Sequence, residues 1–446
     1  MRSRTVGHGP RVLLGAALVV SLVALGVWSD VGADAIPAGW VADQMKPIGY
    51  SDLGGHGGGF KLAIREVNNR WYLYMGHIWE QGWIIVDVTD PTNPKYLKFI
   101  PWPQDNTWTI QVTLHDNLML TALELGGGGD PKKPFGEGVL LWDISDPVNP
   151  KQLSHWKTGG VGTHRNSYPG GRYAYLTAAQ PGFEGKILVI LDVSDPRNPK
   201  EAGRWWMPGQ KAGETATEPV AGFHGPAVIE GNTAYMGYGP AVVILDISDV
   251  SKPRLIGRLN MSPPFKGGVT SGHSVIKIPG KPLLFANSEA GGGGGGCTEP
   301  LNYAAMIDIK DPAKPRMMST FPVPVPPKGA PYTTFCDNGA RFGPHNINHE
   351  YHSPDVEKQG DLIYLTYFSA GLRIFDIKDP RVPKEVGWFI PPTPTKRYGP
   401  PSQNKLSTQT EEVLVDRRGN IYVNDRQWGL WILRYTGPGQ PSSTAK

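Results

Sequence analysis

Cysteine is nearly missing. Cys297 and Cys336 are the only two among 446 residues, too few for a disulfide-built scaffold. Charge of one sign is missing as well. Lys and Arg number 44 against 40 Asp and Glu, a formal net charge of +4, and the basic residues are scattered. That balance argues against a nucleic-acid partner. Beyond Val12–Trp28 no second apolar run reaches the length of a membrane span. No Gly-x-Ser-x-Gly elbow marks a serine hydrolase. His349-Glu350-Tyr351-His352 is spaced too tightly for a His-Glu-x-x-His zinc helix, and its context is β. The Gly291–Gly296 run has no Lys-Ser/Thr behind it, so it reads as flexible glycine and not as a phosphate loop.

Glycine and proline, by contrast, are abundant, at 57 and 43 residues. They alternate with apolar runs, which indicates a turn-rich β protein and not disorder. The N-terminus carries Arg2, Arg4 and Arg11, then the apolar run, then Ala33-Asp34-Ala35 as a cleavage site. This is the layout of a general secretory signal over 1–35, with an uncleaved anchor as the alternative. A periplasmic or secreted body without a further span is expected. In such a compartment Cys297 and Cys336 are expected as one disulfide, the alternative being a copper or zinc thiolate pair.

One phrase recurs at the end of apolar β-runs. It reads Ile-Ile-Val-Asp-Val-Thr-Asp-Pro-Thr-Asn-Pro-Lys at 84–95, and returns around Asp143, Asp192, Asp246, Asp308 and Asp376. Its prolines preset φ and its aspartates bond nearby backbone N–H groups, so it is a rigid turn and its carboxylates are structural. Units of about 40–70 residues with four strand-like runs each predict a β-propeller. Labelling strands A to D from the axis outward, the phrase joins C to D. In the clearest unit, A is His224–Ile229, B Thr233–Gly237, C Ala241–Ile247 and D Arg254–Asn260. Seven C strands can be counted. The seventh lacks a following D, and Met45–Tyr50 resembles one, so the N-terminal strand is expected to complete the last blade and close the ring. The propeller then spans 36–436, with a tail at 437–446.

The A–B and C–D turns are short, whereas the D–A and B–C loops are long, including Pro208–Phe223, Met261–Gly272, Pro322–Pro344, Glu124–Gly138 and Ala290–Asn302. Long loops carry function, which places the site at their mouth of the channel. The starts of the A strands there carry His56, His164, His224, His273 and His345, with Glu411 at the seventh position. Eleven histidines occur in the whole chain, and about five share this position. Converging imidazoles with open positions suit copper, iron, zinc or manganese. Glu411 is expected to orient a ligand histidine or to serve as a base. His77, His349, Tyr238, Glu289, Tyr367, Arg426 and Trp428 border the same mouth and are expected to form the substrate pocket. The opposing view is that duplication copied one channel-lining histidine with no metal role.

The repeated Asp-Val-Ser-Asp-Pro-x-x-Pro phrase after a Val/Ile/Leu run resembles the LVIVD-repeat propellers over nearly all of the mature chain. More distantly, the chain resembles the selenium-binding protein/methanethiol oxidase family, which implies seven blades and a histidine-bound copper near the channel. Carotenoid- and stilbene-cleaving oxygenases also hold a four-histidine iron on a seven-bladed axis, but their repeats differ. The expectation is an exported metal-dependent oxidoreductase, or a metal-assisted lyase, acting on a small apolar or aromatic substrate. The competing expectation is a non-catalytic propeller that binds a protein or glycan through its long loops.

Overall fold

In the computed structural model the described residues are 34–261, 272–289, 302–338, 341–350, 352–358, 360–399 and 405–439. The signal segment and Cys297 therefore lie outside the described residues, and with Cys297 the expected Cys297–Cys336 pairing. Cys336 itself packs, half-buried, against the large core cluster around Phe335 and Phe342.

The regular structure is built from β-strands, and the repeated turn shows why they begin and end where they do. Apolar C strands close on an aspartate at Gly82–Asp87, Gly138–Asp143, Lys186–Asp192, Ala241–Asp246, Ala304–Asp308 and Leu372–Asp376. In each, that aspartate accepts the N–H two residues on, from 2.9 Å at Thr89 to 2.7 Å at Lys378. The second aspartate of the phrase repeats the bond to its own i+2 N–H, between 2.9 and 3.1 Å. Two consecutive Asx turns thus fold the chain back into strand D, and none of these carboxylates is free for chemistry.

The fold is an all-antiparallel β-propeller. Among the described residues, five sheets have four strands each, and a nine-stranded sheet divides at the single Gly162–Glu124 pair into two groups around Leu118–Leu125 and Tyr173–Ala179. Met45–Ser51 pairs with Gly429–Tyr435 as the outer strand of the last sheet, from Met45 opposite Tyr435 to Ser51 opposite Leu430. The expected D strand is therefore supplied by the N-terminal segment. Val41–Asp43 adds a further outer strand against Lys384–Ile390.

The turns also dock neighbouring sheets. A Cβ on Gly203 would lie 1.8 Å from the Val250 carbonyl oxygen of the next turn, and one on Gly257 would lie 2.1 Å from that of Pro312. The same approach joins first and last sheets, where a Cβ on Gly49 would stand 2.1 Å from the Pro91 carbonyl. Where serine replaces glycine, its hydroxyl donates to the carbonyl instead, Ser154 to Pro196 and Ser319 to Pro380, each at 2.6 Å. Between sheets lie apolar layers, with Trp71, Trp142 and Trp431 each buried in a cluster shared by adjacent sheets.

One A strand is shorter than expected. In the clearest unit only Val228–Glu230 is regular strand, so His224 precedes it, beside the Phe223–Tyr238 bridge. The channel mouth is thus lined by irregular backbone, which frees consecutive residues from strict alternation.

Candidate metal centre

Three A strands carry a register shift at the mouth. Thr163 faces Ala178 but Asn166 faces Leu176, so His164 and Arg165 occupy a bulge. Gly59 faces His77 and Leu62 faces Met75, which places Phe60 and Lys61 in another. Thr410 faces Asp425 and Glu412 faces Asn424, which sets Glu411 in a third. A bulge turns neighbouring side chains to one side. Phe60, His164 and Arg165 accordingly line one cavity of about 620 Å³, together with His224, Glu289, Arg341, His345 and Arg426.

Four described histidines form a continuous row, with His164, His224 and His345 on the cavity wall and His273 buried between the last two. Ring centroids are 4.5 Å apart from His164 to His224, 4.4 Å from His224 to His273 and 4.7 Å from His273 to His345. The carboxylate of Glu289 lies against three of them, with oxygens 3.8 Å from His224 Nε2, 3.6 Å from His273 Nε2 and 3.5 Å from His345 Nε2. His164 Nε2 is 3.1 Å from His224 Nε2. His224, His273 and Glu289 can each direct one ligand atom to a common point, their atoms lying within 4.8 Å of one another. Two ligand atoms held about 2.1 Å from one tetrahedral ion lie about 3.4 Å apart. The observed spacings of 3.1 to 3.8 Å straddle that value.

The tautomers follow from the partners. His164 Nδ1 meets Glu124 at 2.5 Å. Burial pushes the Glu124 carboxyl up, but His164 and Lys186 hold it down at about 2, so it is ionised and His164 Nδ1–H donates. His345 Nδ1–H donates to the Glu411 carbonyl at 2.9 Å. In both rings Nε2 is left with its lone pair toward the cavity. Burial lowers the basicity of the whole row, taking His273 down to about 3 and His224 and His345 well below the ordinary imidazole value. Burial pushes Glu289 up, yet His273, His345 and Arg341 hold it well below the carboxylate range. His273 Nε2 and His224 Nδ1 are buried with no hydrogen-bond partner in the protein. Neutral imidazole lone pairs thus converge on an ionised carboxylate, a donor set for a cation.

Glu411 is fully buried behind His345, its Oε2 3.2 Å from His345 Nδ1, and is ion-paired to Arg426. It does not line the cavity, so its geometry is that of a residue orienting His345 and not that of a base touching substrate. Arg426 and Glu289 line the cavity as expected.

Other expected residues stand elsewhere. His56 is bound to Glu80 at 2.8 Å and stacked on Phe99 at 4.6 Å, apart from the row. The bulge explains this, because the position matching His164 and Arg165 in that sheet is Phe60 and Lys61. His77 uses both nitrogens on backbone, donating to the Gly57 carbonyl at 2.6 Å and accepting from Glu80 N–H at 2.9 Å. Tyr238 accepts from Ala221 N–H and packs on Phe223. Tyr367 packs on Phe342, and Trp428 donates to the Pro392 carbonyl. His349 lies in a separate buried group, its Nδ1 3.3 Å from Lys61 Nζ, which pairs with Glu412. None of these six lines the cavity.

Sequence reasoning missed Arg165, Arg341, Phe60, Trp79 and Trp108, all on the cavity wall. Arg165 directly follows His164, but strand alternation would have sent it to the opposite side. Only the bulge brings it round.

Comparisons with known proteins agree on the fold. The LVIVD repeat family matches residues 71–100, 171–206 and 227–261. No curated protein sequence matches the chain. Among solved structures, the periplasmic gluconolactonase PpgL of Pseudomonas aeruginosa shares 11% identity over 82% of this chain and 99% of its own, with a TM-score of 0.52. A provisionally assigned 6-phosphogluconolactonase from Bacteroides uniformis shares 10% identity over 70% of this chain and 80% of its own, with a TM-score of 0.48.

Proposed function

We propose that the chain is an exported metal-dependent enzyme that acts on a small apolar or aromatic molecule in the histidine-lined cavity. One observation carries this reading. The His345 Nε2 lone pair faces a Glu289 oxygen at 3.5 Å, two acceptors with no proton to share. A cation between them resolves the repulsion.

His224, His273 and Glu289 would hold the ion, with His164 and His345 at either end of the row. A nitrogen-rich set with one carboxylate suits copper first, and also iron, zinc or manganese. Bound there, such an ion supplies Lewis-acid or redox chemistry in an oxidoreductase or lyase. Glu124 and the Glu411 carbonyl fix the rings of His164 and His345, so the lone pairs are aimed before anything binds. Phe60, Trp79 and Trp108 give the cavity apolar walls that hold an aromatic or aliphatic body and displace water. No helix of the described residues is long and apolar enough to cross a membrane. The signal-like N-terminus supports export to the periplasm or beyond.

Elemental analysis of the purified protein tests the reading. Stoichiometric transition metal in the wild type, lost on combined His224→Ala and His273→Ala substitution, supports it. A folded wild type that neither carries nor binds such a metal overturns it and leaves ligand binding through the long loops as the function. Activity screens on the loaded protein belong to oxidation, elimination and lactone opening, the last because the Pseudomonas propeller is named a gluconolactonase.

A further inference from the structure

Most charges around the cavity pair off among the described residues. Glu289 is matched by Arg341 at 2.5 Å, Glu411 by Arg426, Glu124 by Lys186 at 2.7 Å, and Glu412 by Lys61 at 3.3 Å. Arg165 stands outside these pairs. It is 2% exposed and lines the cavity, yet its Nε and Nη1 find no hydrogen-bond partner in the protein. An arginine does not escape such a position by losing its proton. Leaving buried guanidinium N–H groups unsatisfied is costly, and a ligand oxygen relieves the cost. Asp105, the remaining acidic residue of the lining, is exposed at the rim and makes no ion pair with Arg165.

We propose that Arg165 is the anchor for a carboxylate on the substrate, so the cavity takes a small carboxylic acid with an apolar or aromatic body. This anchor presupposes that the cavity is a substrate site. Phe60 lies beneath the guanidinium, which sits 4.9 Å from its ring centroid, a cation–π contact that helps hold the arginine in place. A carboxylate is preferred to a phosphate ester because it brings one negative charge, whereas a phosphate brings nearly two into a lining that already holds Glu289 and Asp105. The aromatic walls take the body of the acid, and His164, His224 and His345 lie on the same cavity surface as the anchor.

The test uses the full chain stripped of metal by chelation, so that a bound ion cannot hold the acid. Benzoate and 3-phenylpropionate are titrated against the corresponding primary amides, with tryptophan emission as readout. In the wild type at least one acid binds on the order of tenfold or more tighter than its amide, the gain expected of charge-assisted hydrogen bonds. Arg165→Gln erases that preference, and Arg165→Lys, which keeps the charge but loses the planar fork, retains only part of it. If Arg165→Gln does not fold, the partial loss in Arg165→Lys decides the matter. Equal affinity for acid and amide, no binding of either acid at millimolar concentration, or an undiminished preference in the folded variants would overturn the proposal. The two readings fail separately. A wild type without metal that still prefers acids refutes the metal centre alone, and a metal-loaded wild type indifferent to the carboxylate refutes the anchor alone.

Discussion

His345 Nε2 lies 3.5 Å from Glu289 Oε1, while its Nδ1 is held by the Glu411 carbonyl at 2.9 Å. That second bond fixes the first, since a ring that donates on one side presents a lone pair on the other. The lone pair then faces a carboxylate oxygen whose other partner is Arg341 at 2.5 Å, so the histidine side is left for a further cation to complete.

Metal retention is therefore expected to track the row and not histidine content. His273→Ala removes a buried ligand atom that has no hydrogen-bond partner in the protein, and should abolish stoichiometric binding. His56→Ala should leave metal content unchanged, because His56 is bound to Glu80 outside the row. Elemental analysis of both variants at matched helix-free far-ultraviolet spectra checks this. Equal losses in the two would contradict the placement of the site.

Glu124 predicts a graded effect. It touches His164 at 2.5 Å and Lys186 at 2.7 Å but is not itself among the converging atoms. Glu124→Gln keeps the shape and removes the anionic acceptor that fixes the His164 tautomer. Metal affinity should fall by roughly 10- to 100-fold, the usual cost of an outer-shell partner, without abolishing binding. Calorimetric titration of the metal-free variant measures it.

The interlocking of turn and glycine yields a stability prediction remote from the site. Gly203→Ala places a methyl 1.8 Å from the Val250 carbonyl, and the backbone must shift. A loss of roughly 1–3 kcal/mol is expected from such overpacking. Ser154→Ala removes only the 2.6 Å bond to Pro196 and should cost about 1 kcal/mol. Denaturant midpoints at constant slope compare them, and a larger loss in Ser154→Ala would contradict the docking account.

Much of this frame was legible in the sequence. The double Asx turn is written in local residues, so it located the C strands and the partner strand of Gly429–Tyr435 at Met45–Ser51. It also served as the ruler that found His164, His224, His273 and His345. What it could not reveal was the consequence of irregular backbone. His56 looked like the matching position in its sheet only because the bulge at Phe60 and Lys61 is invisible without pairing registers. Arg165 was hidden for the same reason. Tyr238, Tyr367 and Trp428 border loops in sequence, but their size drives them into packing off the cavity, where Tyr238 and Trp428 bond backbone groups and Tyr367 packs on Phe342.

The second buried group gives a pH prediction whose sign can be worked out. Glu350 is buried, accepts a bond from Thr113 at 3.0 Å, and lies near the Lys61–Glu412 pair and His349. Burial raises its carboxyl from the ordinary 4.5 to about 7, against the opposing pull of Lys61. The folded state thus keeps a proton that the unfolded state releases. Its contribution to stability is fully present below about 4.5 and is lost as pH rises through about 7. Glu350→Gln imitates the protonated form at every pH. Relative to wild type, the variant should gain stability steadily between those two values, by up to about 1.4 kcal/mol per pH unit, and the difference should level off above them. Urea unfolding of both proteins across that range checks it. A difference that stays constant with pH, or one that shrinks as pH rises, would mean that Glu350 is ionised in the folded channel at neutral pH, with Lys61 shared between it and Glu412.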